Sequence, residues 1–283
     1  MHSIVCIKQV PDSAQIRVHP VTNTIMRQGV PSIINPFDLF ALEQALSLRD
    51  MVGGEVTVLC MGPPMAEESL RKALAYGADR AVLLTDRQFA GSDTLATSFA
   101  LASAIQKIAQ TWGIADMVFT GKQTIDGDTA QVGPGIAKRL KFNQLTYVAQ
   151  VLSVNPATRT LTVERRAEGG VQVLATKLPA LITMLDDSNE IRRGSLNDAL
   201  RAARADVVKW SAADAGITDL EKCGLRGSPT VVKKVFAPTP RAEKACQLHP
   251  GVPHEELAEA LISEIFTRSP MIETQLLEQS AAN

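Results

Sequence analysis

The sequence predicts an α/β protein with a mostly parallel, doubly wound sheet, added antiparallel strands and an extended C-terminal arm. Over roughly the first half of the chain, short apolar runs rich in Val, Ile and Leu alternate with longer stretches of helical period, which is typical of strands joined by crossover helices. From Tyr147 the period changes to two, which indicates antiparallel strands. After Asp186 the periodic pattern weakens, as expected for a segment that cannot bury a core of its own.

The first half contains four predicted strands and three predicted helices. The strands are at 3–10, 55–61, 80–85 and 116–120, and the helices are at 36–51, 64–76 and 93–112. Asn35 followed by Pro36 is a helix-start signal, and Gly77 is a stop signal for the second helix. Residues 16–28 hold two short β-prone runs and predict a hairpin inserted after the first strand.

The second half predicts a three-stranded antiparallel addition and then the arm. The strands are at 148–154, 158–166 and 171–178, with turn residues at 155–156 and 169–170. Helices are predicted at 195–204 and 254–268, and the stretch between 211 and 253 contains Pro229, Pro238, Pro240 and Pro250. We therefore expect a nucleotide-binding α/β domain at 1–210 and, at 211–283, an arm and helix that pack on a partner.

Composition excludes several classes of protein. The formal net charge is −1, with 29 Lys plus Arg against 30 Asp plus Glu, so there is no basic excess for binding nucleic acid. No apolar stretch reaches the ~20 residues that a membrane span needs. Because the first predicted strand begins near the start of the sequence, we expect no leader peptide and a cytoplasmic location. The four cysteines are far apart and lack metal-site or redox-pair spacing.

The segment at 121–134, GKQTIDGDTAQVGP, is the strongest candidate for a binding site. It follows the fourth strand and opens a helix that runs to Leu140, a position where parallel sheets bind ligands and helix starts bind phosphate. Asp126 and Asp128 bring negative charge near such an anion, so from the residues alone a capped structural turn is an equal alternative. No catalytic side chain is indicated. Neither the glycine-rich dinucleotide fingerprint nor the P-loop motif is present.

Three other groups have simple structural interpretations beside functional ones. The stretch at 93–98, DTLATS, is either a helix cap or a polar helix entry facing a ligand. His249 and His254 lack a third metal ligand nearby and are interpreted as solvated residues. The arginines at 192, 193, 201 and 204 form either a solvated helix face or a docking surface for an acidic partner.

Along nearly its full length the chain resembles the β-subunits of electron transfer flavoproteins. The motifs that carry the resemblance are KQVPD at 8–12, NPFD at 35–38, GKQ at 121–123, VERRAEGGVQVL at 163–174 and LPALIT at 178–183. The resemblance implies a Rossmann-like domain of the adenine-nucleotide-binding kind and a C-terminal arm that wraps an α-subunit. In this family the β-subunit holds AMP as a structural ligand and the α-subunit carries FAD.

The 126–134 segment departs from the AMP type and is similar to the electron-bifurcating branch. That branch binds a second FAD in place of AMP, accepts a hydride from NADH, and divides the electrons between the α-subunit FAD and ferredoxin or flavodoxin. Gly127 in place of a carboxylate also fits a pyrophosphate better than a single phosphate. The residues that the resemblance assigns to the cofactor are Cys6, Asn35, Pro36, Phe37, Asp38, Met61, Asp93, Thr94, Ala96, Thr97, Gly121, Lys122, Gln123, Thr124, Ile125, Asp126, Gly127, Asp128, Thr129, Ala130, Gln131, Val132 and Gly133.

The resemblance also implies a heterodimer that serves an acyl-CoA-type or related dehydrogenase. Leu196 falls at the position of the family's docking leucine, but the segment Asn189-Glu190-Ile191-Arg192 lacks the usual proline, so an ordinary apolar anchor is an equal interpretation. Oxidation of NADH is expected only in the αβ complex. The alternatives are a non-bifurcating carrier with AMP and, more remotely, an ATP-using enzyme on the same fold.

Overall fold

A computed structural model of the protein describes residues 1–12, 17–18, 25–26, 31–231 and 252–281. The strands are β1 (His2–Ile7), β2 (Gln9–Pro11), β3 (Arg17–Val18), β4 (Ile25–Met26), β5 (Ser32–Ile34), β6 (Glu55–Met61), β7 (Arg80–Leu84), β8 (Met117–Gly121), β9 (Asn143–Asn155), β10 (Thr160–Ala167), β11 (Gly170–Lys177), β12 (Ala180–Met184) and β13 (Val208–Trp210). The helices are α1 (Pro36–Val52), α2 (Glu67–Tyr76), α3 (Thr94–Trp112), α4 (Val132–Leu140), α5 (Leu196–Arg204), α6 (His254–Arg268) and α7 (Pro270–Ala281).

Nine strands form one sheet in the order β11-β10-β9-β12-β8-β1-β6-β7-β13. From β9 to β13 every pair of neighbours is parallel, whereas β9, β10 and β11 pair antiparallel. The chain runs from β1 outward through β6 and β7, and then returns to β8 and β12 on the other side of β1. The strand order therefore reverses between β1 and β8. In a parallel sheet, such a reversal opens a crevice at the carboxyl ends of the two strands.

Two apolar cores cover the two faces of the sheet. In β1, Val5 and Ile7 belong to the core that includes residues of α1 and α2, and Ile4 and Cys6 belong to the core that includes residues of α3 and α4. Neighbouring residues of a strand point to opposite faces of the sheet. Because both faces of the sheet are covered by apolar cores, β1 needs an unbroken run of apolar residues. The doubly wound α/β fold predicted from the sequence is confirmed.

Local signals set the helix boundaries. α1 has proline at its start, and α2 ends at Gly77, which is in the left-handed conformation. The Asp93 carboxylate caps α3 by accepting hydrogen bonds from the amides of Leu95 at 2.9 Å and Ala96 at 3.0 Å.

Most predicted elements are present, with some changes of boundary. The predicted first strand, 3–10, is divided between β1 and β2 because β2 leaves the main sheet to pair with β5. The predicted hairpin is confirmed in the pairing of β3 with β4, while its turn lies outside the described residues. The sequence analysis missed β12, a five-residue buried strand in the middle of the sheet, and also β13 and α7.

Contacts divide the chain into two units, Met1–Phe236 and Ala237–Asn283. This differs from the predicted boundary after residue 210. The described residues 211–231 belong to the first unit, where Ala212, Ile217 and Cys223 are buried in its core. These apolar residues are scattered among turns without a helical or strand period, so the sequence pattern did not reveal their burial.

Candidate functional site

A cavity of ≈ 970 Å³ lies at the crevice between β1 and β8. It is lined by residues at the carboxyl ends of four neighbouring strands: β8, β1, β6 and β7. The volume is at the upper end of the range for ligand pockets, about 300–1,000 Å³. The cavity therefore lies where this fold binds ligands in general, and it is large for a ligand pocket.

Sixteen of the residues predicted to bind a cofactor line this cavity. They are Cys6, Asp38, Met61, Asp93, Thr94, Thr97, Gly121, Lys122, Gln123, Thr124, Gly127, Thr129, Ala130, Gln131, Val132 and Gly133. The structure does not place seven others in the lining: Asn35, Pro36, Phe37, Ala96, Ile125, Asp126 and Asp128. Several of these seven hold the lining in position instead.

Asn35 holds the loop that follows β8. Its Nδ2 donates to the carbonyl of Gln123 at 2.8 Å, and its Oδ1 accepts from the amide of Ile125 at 3.2 Å. Asn35 is fully buried, so its own side of both bonds is shielded from water. Its side chain thus fixes the backbone of the loop from a position outside the cavity lining.

Asp38 joins the ends of β1 and β8. Its carboxylate accepts the amide of Lys8 at 2.8 Å and the amide of Gly121 at 3.0 Å. Burial raises the pKa of Asp38 to about 7, although these amides and the Asn35 side chain favour the charged form. Asp38 therefore sets the distance between the two strand ends that border the crevice.

Asp126 and Asp128, whose negative charge would repel an anion, both accept hydrogen bonds from other side chains. Lys8 Nζ donates to the Asp126 carboxylate at 2.7 and 2.9 Å, and Gln123 Nε2 donates to Asp128 at 2.8 Å. Neither aspartate caps α4, because the cap position of α4 is Gln131 and has no side-chain hydrogen bond to the helix. The interpretation of this segment as a capped turn is therefore wrong.

The start of α4 faces the cavity without a side-chain cap. Val132 and Gly133 line the cavity at the first turn of the helix, where amides have no partner within the helix. A side chain at Gly133 would lie 2.9 Å from both Thr120 Oγ1 and Thr183 Cγ2, so glycine is needed for close packing there. A helix start of this kind, with free amides and no side-chain cap, can bind anionic groups.

The opposite wall of the cavity was largely missed by the sequence analysis. Residues Thr85, Asp86, Arg87, Phe89, Ala90, Gly91 and Ser92 line it. The other lining residues that were not predicted are Ile7, Lys8, Gly62, Pro63, Pro64, Leu101 and Thr120, of which Ile7 belongs to β1 and Thr120 to β8. A signal was available, since residues after β7 lie at a strand's carboxyl end, as the 121–134 segment does after β8. Thr94 links the two walls because its hydroxyl donates to Gln131 Oε1 at 2.9 Å.

Several other candidates have structural roles in the described part of the chain. The guanidinium of Arg192 pairs with Glu43 and Asp50, and that of Arg201, although 40% exposed, donates to backbone carbonyls of residues 74 and 78, so both have structural contacts. The described cysteines are free and buried, and burial raises the pKa of the Cys6 thiol. His249 and Cys246 lie outside the described residues.

Within the described ranges, no group of His, Cys, Asp and Glu side chains is arranged to hold a metal ion. No helix in the described part of the chain has the length and apolar character needed to cross a membrane.

Comparison with known proteins shows strong similarity over the whole chain. The family model described as "Electron transfer flavoprotein domain" matches residues 22–215. "Protein FixA" of Sinorhizobium fredii is 72% identical over 277 residues, covering 98% of this chain and 97% of that protein. "Protein FixA" of Azotobacter vinelandii is 60% identical over 282 residues, covering 99% and 100%. "Electron transfer flavoprotein subunit beta" of Thermoanaerobacterium thermosaccharolyticum is 48% identical over 251 residues, covering 89% and 93%.

Proposed function

The chain belongs to the electron transfer flavoprotein family as a β-subunit-like member, and we propose that it binds FAD in the crevice between β1 and β8. In this proposal it forms a heterodimer with an α-subunit. Electrons from NADH pass to the α-subunit flavin, which serves an acyl-CoA-type or related dehydrogenase, and to ferredoxin or flavodoxin. The observation that carries the proposal is the extent of the cavity across four strand ends.

The length of the cavity favours a dinucleotide. Neighbouring strands are about 4.8 Å apart, so the row from β8 to β7 spans about 14 Å. A mononucleotide seated on the β8 loop would leave the part of the cavity beside Met61 and Thr85 unfilled. FAD has a second half of about the size of a nucleotide, which would fill this part of the cavity.

The β8 loop and the start of α4 supply the groups that hold a pyrophosphate. The amides of Val132 and Gly133 are at the uncapped helix start, and Gly127 brings backbone to the cavity without a side chain. Because Asp126 pairs with Lys8 and Asp128 accepts from Gln123, repulsion from these carboxylates is reduced.

The residues at the start of α3 border the other half of the proposed ligand. Thr94 and Thr97 bring hydroxyl groups to the cavity, and Leu101 supplies an apolar surface. When bound, FAD would supply the hydride-accepting and one-electron chemistry, while these residues orient it and exclude water. The buried Cys6 thiol stays protonated and is not a nucleophile.

The relatives' names agree with a role as one subunit of a heterodimer. The match to a protein named "Electron transfer flavoprotein subunit beta" supports pairing with an α-subunit. A structural AMP at the same crevice is the second candidate, since the amide-lined helix start would hold one phosphate equally well.

Cofactor stoichiometry in the co-expressed heterodimer tests the proposal. Acid extraction and chromatography should yield two FAD and no AMP for each heterodimer, and NADH should bleach the visible flavin bands. One FAD with one AMP would contradict the proposal in favour of the structural-AMP role. A colourless complex that hydrolyses ATP would contradict both.

A charge placed at Gly127 makes the test specific to this pocket. The Gly127→Asp variant should lower FAD affinity in the β-subunit by about tenfold, because it adds a carboxylate beside the pyrophosphate. Gly127→Ala is the matched control, since a Cβ there meets only Thr124 Oγ1, at 3.3 Å. Equal FAD retention by both variants would place the ligand elsewhere.

A further inference from the structure

Residues 224–230 pack against the cavity wall from outside the cavity. The Gly224 amide donates to Ser92 Oγ at 3.2 Å, and the Asp93 amide donates to Ser228 Oγ at 2.8 Å. The Ser228 hydroxyl donates in turn to the carbonyl of Gly224 at 2.6 Å. Ser228 is buried, and no residue of this segment lines the cavity.

The Asp93 carboxylate connects this segment to the start of α3. One of its oxygens caps the helix through the amides of Leu95 and Ala96. The other accepts the Thr230 hydroxyl at 2.8 Å and the Thr230 amide at 3.2 Å. Burial alone would raise the pKa of Asp93, but the hydrogen bonds from Ala96 and Thr230 outweigh it and lower the pKa. The carboxylate is thus charged when it makes these bonds.

Close packing accompanies the hydrogen bonds. A Cβ added at Gly91 would lie 2.6 Å from Leu225 Cδ2, so the segment touches the wall there directly. Gly224 has a φ of +56°, and a side chain on it would clash with the carbonyl of Gln88. The segment therefore fits the 88–93 wall in one position.

We propose that Thr230 and Ser228 are positioning residues that fix the start of α3, and with it the wall of Thr94 and Thr97, against the bound dinucleotide. This inference rests on the proposed function, which supplies the identity of the ligand. Neither side chain lines the cavity, so each acts through Asp93. Losing the Thr230 hydroxyl would let the first turn of α3 move and weaken its contact with the ligand.

The rate at which flavin leaves the β-subunit of the intact heterodimer tests this inference. Thr230→Val removes the hydroxyl and keeps the shape, and it should release the β-bound flavin about three to ten times faster. Thr230→Ser keeps the hydroxyl and should restore the wild-type rate. Ser228→Ala should behave as Thr230→Val does, and in both the absorbance spectrum of the β-bound flavin should shift.

Ser211→Ala is the matched control, because the Ser211 hydroxyl also donates to a carboxylate, that of Asp214 at 2.7 Å, and Ser211 lies outside the cavity lining. It should leave flavin release unchanged. Equal release rates for Thr230→Val, Thr230→Ser and wild type would overturn the inference.

A failure of the proposed function would look different. If the wild-type site yields AMP, the FAD proposal fails and the same comparison is made on AMP release. Faster AMP loss from Thr230→Val than from Thr230→Ser would support the positioning role, and equal loss would overturn it.

Discussion

At the scale of single residues, the site depends on one close approach of two backbones. Gly121 ends β8 beside the start of α1, and its amide donates to Asp38. A Cβ at this position would lie 2.5 Å from Phe37 Cβ and 2.6 Å from Asp38 Oδ1. No side chain fits without moving backbone, so glycine at the strand end allows the loop beyond it to reach the crevice.

We expect Gly121→Ala to lower the free energy of unfolding by about 1–3 kcal/mol through overpacking. The same displacement of the β8 loop should lower cofactor occupancy in the heterodimer. Urea unfolding and nucleotide extraction measure the two effects. Gly127→Ala is the control because a Cβ there meets only Thr124 Oγ1, at 3.3 Å, and no backbone atom. Equal free energies of unfolding for the two variants would contradict the prediction, because they would mean that the start of α1 moves aside at little cost.

At the scale of elements, an ion pair attaches the segment before α5 to α1. Arg192 Nε and its second terminal nitrogen donate to the two oxygens of Glu43 at 2.8 and 3.0 Å, and its amide donates to the same carboxylate. The Glu43 side chain is only 7% exposed. Burial alone would raise the pKa of Glu43, but the hydrogen bonds from Arg192 and Ser47 outweigh it and lower the pKa.

Arg192→Met should reduce the free energy of unfolding by about 2–3 kcal/mol near neutral pH, because it leaves a buried carboxylate without its partner. A carboxyl group with a lowered pKa stabilises the fold above its unfolded pKa and loses that contribution as the pH falls. The difference between variant and wild type should therefore shrink below the ordinary glutamate value of 4.5. Urea unfolding at several pH values measures this.

Arg193→Met is the matched control for this ion pair. Arg193 is the exposed neighbour of Arg192, so its replacement should change the free energy of unfolding by less than about 0.5 kcal/mol. A similar loss of stability in both variants would mean that the Glu43 pair contributes nothing specific.

At the scale of the whole molecule, an exposed leucine is available to another protein. Leu196 is 76% exposed at the first position of α5. The helix itself is well anchored, because Ser195 and Asp198 form a capping box and Arg201 donates to carbonyls of residues 74 and 78. An apolar side chain on a fixed helix start can bind a partner without reorganising the fold.

Under the proposed function, we expect Leu196→Ala to slow electron delivery from the heterodimer to the dehydrogenase several-fold, with flavin content and stability unchanged. Loss of a well-buried apolar contact of this size from an interface costs about 1–2 kcal/mol. Stopped-flow reduction of the cognate dehydrogenase measures the rate. Ile114→Ala is the control, because Ile114 is 73% exposed at a position outside α5. If Leu196→Ala delivers electrons at the wild-type rate, Leu196 is not a docking residue.

The sequence by itself determined the alternation of strands and helices, the antiparallel addition and the 121–134 segment. These are local patterns of hydrophobic period, caps and turns, and they are readable because one stretch of chain contains all of their information. Tertiary structure decided which residues share the crevice. Asn35 and Asp38 hold the end of β8 and the loop after it through hydrogen bonds to the backbone, and Asp126 pairs with Lys8 across 118 positions of sequence. Such contacts depend on the strand order of the sheet, which leaves no periodic signal in the sequence around either partner.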